Sequence, residues 1–178
     1  MIERIKEEGK IFEGKRIYFS APIKGVPNSN PYFIESIVKY LKDNGAVVLS
    51  EHVAGKNDEE RNSMFIKESG INRLILENPS PVIRQTDISW VDEAGYLIAI
   101  VDTPSIGVGM EIQRALDKHK MGMNLTPVLC LVSEDRWEKE LSNMVKGISK
   151  TDSPSAEVMK YVSTDHAKKV ARGFLLKF

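Results

Sequence analysis

The feature that most constrains this chain is an unbroken apolar run, Tyr96-Leu97-Ile98-Ala99-Ile100-Val101. It is too short for a helix that spans a domain and does not alternate, so it reads as a strand buried on both faces. Such a strand needs neighbouring strands and helices above and below it, and the rest of the chain supplies them. Arg16–Phe19, Ala46–Leu49 and Pro127–Val132 are further short strand signals, and Val158–Val162 is a weaker one. Between them lie helical patterns. Phe33, Ile34, Ile37, Val38 and Leu41 recur at helical spacing, with Pro31 as a suitable first residue and Asn44-Gly45 as a stop. Further helices are expected from Val82 to Ala94, Val108 to Lys120, Trp137 to Met144 and Thr164 to Lys177, and a short one over residues 2–8.

Strands alternating with helices imply α/β architecture. The expected fold is a doubly wound, flavodoxin-like five-stranded parallel sheet with helices on both faces, in a single domain spanning residues 1–178. Residues 55–80 fit no core element. They read as a helical excursion with fragments near Phe65-Ile66 and Leu74–Leu76.

Composition narrows the function. The chain balances 25 Lys+Arg against 25 Asp+Glu, so it lacks the basic excess of a binder of nucleic-acid polymers. Its 42% hydrophobic content sets it apart from disordered chains, and no apolar run is long enough to span a membrane. The N-terminal Met1-Ile2-Glu3-Arg4 is charged too early for a secretory signal, and the lone Cys130 fits a reducing, cytoplasmic compartment. Neither a metal nor a cofactor is expected. His52 has no second ligand at metal spacing, and the glycines at 107 and 109 lack the third member of a dinucleotide fingerprint.

In doubly wound sheets ligands bind beyond the carboxyl ends of the strands, which directs attention to the segments after Phe19, Leu49 and Val101. The last reads Thr103-Pro104-Ser105-Ile106-Gly107-Val108-Gly109-Met110-Glu111. It is a turn that lets backbone approach a ligand, followed by a helix whose first turn is expected to hold Glu111 as an ionised carboxylate and plausible nucleophile. An ordinary strand-to-helix turn fits the same residues. Asp87 and Trp90, three apart on a helix, put an acid beside an aromatic plane that suits a heterocyclic base. An exposed Asp on a helix with a core Trp is the plainer alternative. Tyr18, Ser20 and Lys24 bring a phenol, a hydroxyl and a cation to the first turn, although a core Tyr with a loop Lys is the plainer reading of these residues alone. Cys130, inside a strand, reads as an inert buried thiol.

Taken in order, these pieces resemble the nucleoside 2-deoxyribosyltransferase superfamily, and within it the 2'-deoxynucleoside 5'-phosphate N-hydrolase branch. The resemblance runs from Tyr18 to about Gly147. It rests on Tyr-Phe-x-x-x-Ile-Lys-Gly from Tyr18, Glu51-His52-Val53, Asp87-x-x-Trp90, Pro104-Ser-x-Gly-Val-Gly-x-Glu111, Leu129-Cys-Leu131 and Ser142-x-Met144-x-x-Gly147. It implies a flavodoxin-like homodimer that acts on a nucleotide without a cofactor. Glu111 would attack the anomeric carbon to form a glycosyl-enzyme, and Asp87 would assist departure of the base and then activate water. Tyr18 would lie near the sugar and favour deoxyribose. Lys24, Ser105 and Ser142 would hold the phosphate, with Ser142 and Met144 completing the neighbouring subunit's site. Ile23, Gly25, His52 and Gly107 would line the pocket.

The chain departs from the branch at two places. Lys24 stands for the usual arginine and lacks its bidentate fork. Ala21-Pro22 replaces Gly-Ser, removing a hydroxyl and an N–H. Ser105 separates the alternatives within the superfamily: the transferase branch carries an acid there, which would repel a phosphate, whereas serine can donate to one. The expected activity is therefore hydrolysis of a (deoxy)nucleoside 5'-monophosphate to base and sugar phosphate. A base-exchanging deoxyribosyltransferase is the runner-up, and a non-catalytic nucleotide sensor the alternative from another class.

Overall fold

The structure, a computed structural model, describes residues 10–23 and 31–178. The helix expected over residues 2–8, and Lys24 and Gly25, lie outside the described residues. The strands are β1 (Arg16–Ser20), β2 (Val47–Leu49), β3 (Tyr96–Ile100), β4 (Val128–Ser133) and β5 (Ala156–Tyr161). They form one parallel sheet in the order β2-β1-β3-β4-β5. This is the doubly wound, flavodoxin-like order with its switch point between β1 and β3. As the uninterrupted apolar run requires, β3 is central and buried on both sides.

The helices are α1 (Pro31–Asp43), α2 (Asp58–Ser69), α3 (Ser80–Glu93), α4 (Ile106–Asp117), α5 (Glu134–Trp137), α6 (Asn143–Lys146) and α7 (Thr164–Lys177). Alternation along the strands divides the core in two. Ile17, Phe19, Ile98, Ile100, Leu129 and Leu131 pack beneath residues of α1 and α7. Tyr18, Leu97, Ala99, Val128 and Cys130 pack on the opposite face, against Val91 of α3 and Val108, Ile112 and Ala115 of α4. The second face carries the site.

Two interactions fix α3 and α4 on that face. The Arg114 guanidinium donates to both oxygens of Asp92, from Nε to Oδ1 at 2.8 Å and from Nη2 to Oδ2 at 2.7 Å. Lys118, 1% exposed, donates Nζ to the carbonyls of Val91 (3.0 Å) and Ala94 (2.8 Å) at the end of α3. A cation there satisfies carbonyls that have no partner within the helix. The lysine thereby anchors the helix that carries Asp87 just before the chain enters β3.

The excursion resolves into α2 and a 3-10 turn over Arg73–Ile75. Asn57 caps α2 by accepting from the Glu60 amide at 2.8 Å, and Gly70 ends it at φ 74°. The helix expected from Trp137 to Met144 is two short ones instead. Ser142 accepts the Met144 amide at 3.2 Å, and this cap starts a new helix in mid-segment. No helix among the described residues is long and apolar enough to cross a membrane.

Candidate active site

The site begins with alternation in β1. Because Ile17 and Phe19 face α1 and α7, Tyr18 and Ser20 must face α4. There the Ser20 hydroxyl donates to Glu111 Oε2, and the Tyr18 phenol also hydrogen-bonds Glu111. Ser50, just after β2, takes a left-handed backbone (φ 61°) and donates Oγ to the Phe19 carbonyl at 2.5 Å. That fully buried contact ties β1 to the turn bearing His52. A left-handed serine costs backbone energy, and such residues concentrate at functional sites.

These residues open into a cleft of about 560 Å³ beyond the carboxyl ends of β1 and β3. Of the residues expected from sequence, Tyr18, Ile23, His52, Asp87, Ser105, Gly107 and Glu111 all line it. Burial pushes the Glu111 carboxyl up to about 7, helped by the Asp87 charge and opposed by the hydrogen bonds from Ser20 and Tyr18. Burial also raises Asp87, to about 6, while the His52 and Arg73 charges oppose the rise. Tyr18 is held well above the ordinary phenol range by burial, with the charges of Glu111 and Asp87 adding to the effect. Asp87 Oδ1 is buried without a hydrogen-bond partner. Two carboxyl groups that titrate near neutrality can hold one proton between them, which suits acid–base chemistry at neutral pH.

Two expectations need correction. The Ser105 hydroxyl accepts the Val108 amide at 3.4 Å, so α4 starts at Ile106 and Glu111 falls in its second turn. The helix dipole acts weakly there, and burial raises the carboxyl instead of the N-terminus lowering it. Trp90 is not a wall of the cleft. It is buried behind it, with its ring centroid 5.8 Å from that of His52 and 5.6 Å from that of Phe65. Cys130 is fully buried, and burial pushes its thiol up to about 12.

Ser142 and Met144 do not line this cleft. They line a second groove of about 330 Å³, shared with Ser105, Ile106 and Leu141 on the other side of the start of α4. Met144 is 83% exposed and Ile106 is 86% exposed, so apolar side chains ring this groove in solvent. Among the described residues, no group of three or more His, Cys, Asp or Glu converges as a metal would require.

Sequence reading missed Ser20 as a partner of Glu111, and the period of two in β1 was the signal that would have found it. It also missed what the excursion brings. Glu68 of α2 lies 3.3 Å from His52 Nδ1, and Arg73 lines the cleft near Asp87. Nothing in residues 55–80 forecasts those long-range contacts.

Comparison with known proteins places this geometry. No protein-family model matches the chain. The chain is 33% identical over 133 residues to a Nematostella vectensis protein named as a 2'-deoxynucleoside 5'-phosphate N-hydrolase, covering 75% of this chain and 77% of that one. It is 31% identical over 131 residues to the 5-hydroxymethyl-dUMP N-hydrolase of Rattus norvegicus, covering 74% of this chain and 68% of that one. In fold it is similar to the CMP N-glycosidase BcmB of Clostridium botulinum, with a TM-score of 0.57 and 16% identity over 90% of this chain and 99% of that one. Fold and relatives together define an enzyme of the N-glycosidase class. The chain belongs to the 2'-deoxynucleoside 5'-phosphate N-hydrolase family.

Proposed function

We propose that this enzyme hydrolyses the N-glycosidic bond of (deoxy)nucleoside 5'-monophosphates, with Glu111 as nucleophile and Asp87 as acid and base. The observation that carries the reading is the pair itself: two mostly buried carboxyl groups in one cleft with Tyr18, Glu111 raised to about 7 and Asp87 to about 6. The shared proton therefore rests mostly on Glu111, and the reactive form, with Glu111 ionised and Asp87 protonated, is the minor one. A pair with one proton can attack with one member and protonate with the other.

In the first step the ionised Glu111 carboxylate bonds to the anomeric carbon. The carbon–nitrogen bond breaks, and its electron pair leaves with the base, which takes the proton of Asp87. In the second step water adds to the anomeric carbon, the bond to Glu111 breaks, and the Asp87 carboxylate takes the water proton. Ser20 and Tyr18 donate to Glu111, so they orient the carboxylate and stabilise its charge before attack and after release. The Tyr18 ring beside the nucleophile supports a preference for deoxyribose, since a 2'-hydroxyl would crowd it.

Ser105 lines both the cleft and the second groove, which supports placing the 5'-phosphate at that end. In this reading Lys24 supplies a cation there, and a second copy of the chain brings Ser142 and Met144 across the groove. The exposed Met144 and Ile106 support such a homodimer. Glu111 also interacts with the His52 charge, so both carboxyls lie in one electrostatic unit within a cytoplasmic enzyme.

Incubation with nucleosides and their 5'-monophosphates, with and without an acceptor base, tests the proposal by product chromatography. Free base released from monophosphates alone is expected. Base exchange without dependence on phosphate would replace hydrolysis with transfer, and binding without turnover would make the protein a sensor.

A further inference from the structure

The excursion over residues 55–80 is the part of the chain that the proposed chemistry leaves without a role. Its 3-10 turn delivers Arg73 to the cleft. The other arginines that are not exposed are paired with carboxylates: Arg16 with Glu93, Arg61 with Asp58, Arg114 with Asp92 and Arg136 with Glu140. Among the described residues Arg73 alone is half-buried without an ion-pair partner. A half-buried guanidinium without a carboxylate partner leaves its terminal donors open to a ligand in the cleft.

Arg73 is nevertheless held in place. Its Nε donates to Oδ1 of the buried Asn62 at 3.2 Å, and its guanidinium carbon lies 5.5 Å from the centroid of the buried Phe65 ring. Both supports come from α2. With Nε occupied, the two terminal nitrogens form the free fork, and no hydrogen bond among the described residues engages them. Leu74 follows, 73% exposed and also lining the cleft. An exposed leucine beside a fixed guanidinium offers an apolar surface and a donor edge together, the combination that a planar heterocycle fits. Arg73 acts on Asp87, and the groups that act on Glu111 are Ser20, Asp87, Tyr18 and His52. Arg73 therefore belongs to the Asp87 end, where the base departs, and not to the Ser105 end.

We infer that Arg73 reads the base: its free fork meets the two adjacent acceptors O6 and N7 of a 6-oxopurine, so 6-oxopurines are cleaved in preference to their 6-amino counterparts. The inference rests on the nucleotide-hydrolase reading for which end of the cleft holds the base. A guanidinium has donors only, so a carbonyl oxygen satisfies it and an amino group at the same position does not. The same contact stabilises the departing base, whose electron pair spreads onto that oxygen as the glycosidic bond breaks.

The test compares 2'-deoxyinosine with 2'-deoxyadenosine 5'-monophosphate. The pair exchanges oxo for amino at C6, beside N7, which is an acceptor in both. The expected kcat/KM ratio favours the oxo member by roughly ten- to a hundredfold, the range for one bidentate arginine contact. In Arg73→Met the ratio falls towards one. Arg73→Lys, which keeps the charge and packs more conservatively should the first variant not fold, loses most of it as well. A wild-type ratio near one, a preference for the amino member, or a ratio unmoved in the folded variants would overturn the inference. If no monophosphate is cleaved, the hydrolase reading fails separately. Calorimetric binding of the same pair then decides: tighter oxo binding lost in Arg73→Lys supports the role of Arg73, and equal or absent binding removes it.

Discussion

Two groups of carboxylates sit at the carboxyl edge of this sheet, and their surroundings differ. Asp102 follows β3, and both its oxygens are occupied: Oδ1 accepts the Ser133 amide at 2.6 Å and Oδ2 accepts the Tyr161 phenol. Arg136 Nη1 donates to the Asp102 carbonyl at 3.2 Å, and the Tyr161 ring stacks on Phe33 with centroids 4.8 Å apart. This carboxylate laces the ends of β3, β4 and β5 together. A few residues away, Glu111 is raised by burial and Asp87 keeps a buried oxygen with no partner. Buried polar atoms are nearly always satisfied in folded proteins, and among the described residues with such an orphan Asp87 is the one that lines the cleft. For Asp87 the difference lies in occupancy and not in burial, because burial raises Asp102 too, whereas Glu111 accepts from Ser20 and Tyr18 and differs in lining the cleft.

The largest effect is expected at Glu111. Glu111→Gln keeps the shape but removes the nucleophile and turns one of the two accepting atoms into a donor. Turnover is expected to fall at least about a thousandfold, as when other covalent nucleophiles are removed. Single-turnover release of base is the measurement, and activity within tenfold of the wild type would take the nucleophile role from Glu111.

Asp87→Asn is the next largest, with a loss of roughly a hundred- to ten-thousandfold for a missing general acid. Its pH profile is the sharper readout. The wild-type pair holds one proton between about 6 and about 7, so kcat/KM should be bell-shaped with its maximum in that interval. Without Asp87 there is no proton to lose at the alkaline side. Residual activity should then rise to a plateau as Glu111 ionises. A bell that survives in Asp87→Asn would mean another group supplies the proton.

Asp102→Ala probes the satisfied carboxylate. It leaves the Ser133 amide and the Tyr161 hydroxyl without their acceptor, at a cost of about 2–3 kcal/mol in urea unfolding. The kcat of the folded variant should stay within tenfold of the wild type. A kcat loss as large as that of Asp87→Asn would erase the distinction between the two groups.

Much of this contrast was legible in the sequence, and where it was not the reason is physical. The strands were visible because burial on both faces forces apolar runs such as Tyr96–Val101, and α7 was visible in full from its period. Glu111, Asp87 and Tyr18 stood out by motif order. Ser20 could have been read from alternation, yet a serine in a strand carries no signal of its own until its partner is known. Arg73, Glu68 and Asn62 were illegible because their roles depend on where α2 docks, and the low amphipathicity of that segment hides its buried side. The division at Ser142 was missed because two single-turn helices offer too few residues for a period.

The smallest expected effect concerns stability, and it follows from the burial of Glu111. Its carboxyl moves from an ordinary value near 4.5 to about 7 on folding, with burial as the main cause. The folded state therefore binds more protons than the unfolded chain across that interval, and stability falls as pH rises through it. Full stability is present below about 4.5, and the loss is complete above about 7. Glu111→Gln cannot ionise, so it should escape this loss and be more stable than the wild type at pH 8 by on the order of 2 kcal/mol. At pH 4.5 the two should differ little. Urea unfolding at both pH values checks the sign: the gain must appear on the alkaline side, because the destabilising species is the buried anion. Asp102, unchanged in both proteins, cancels from the difference. A variant no more stable than the wild type at pH 8 would mean that the charge of Glu111 is already compensated by Ser20 and Tyr18. The carboxylate would then resemble Asp102 more closely than the unpartnered oxygen of Asp87.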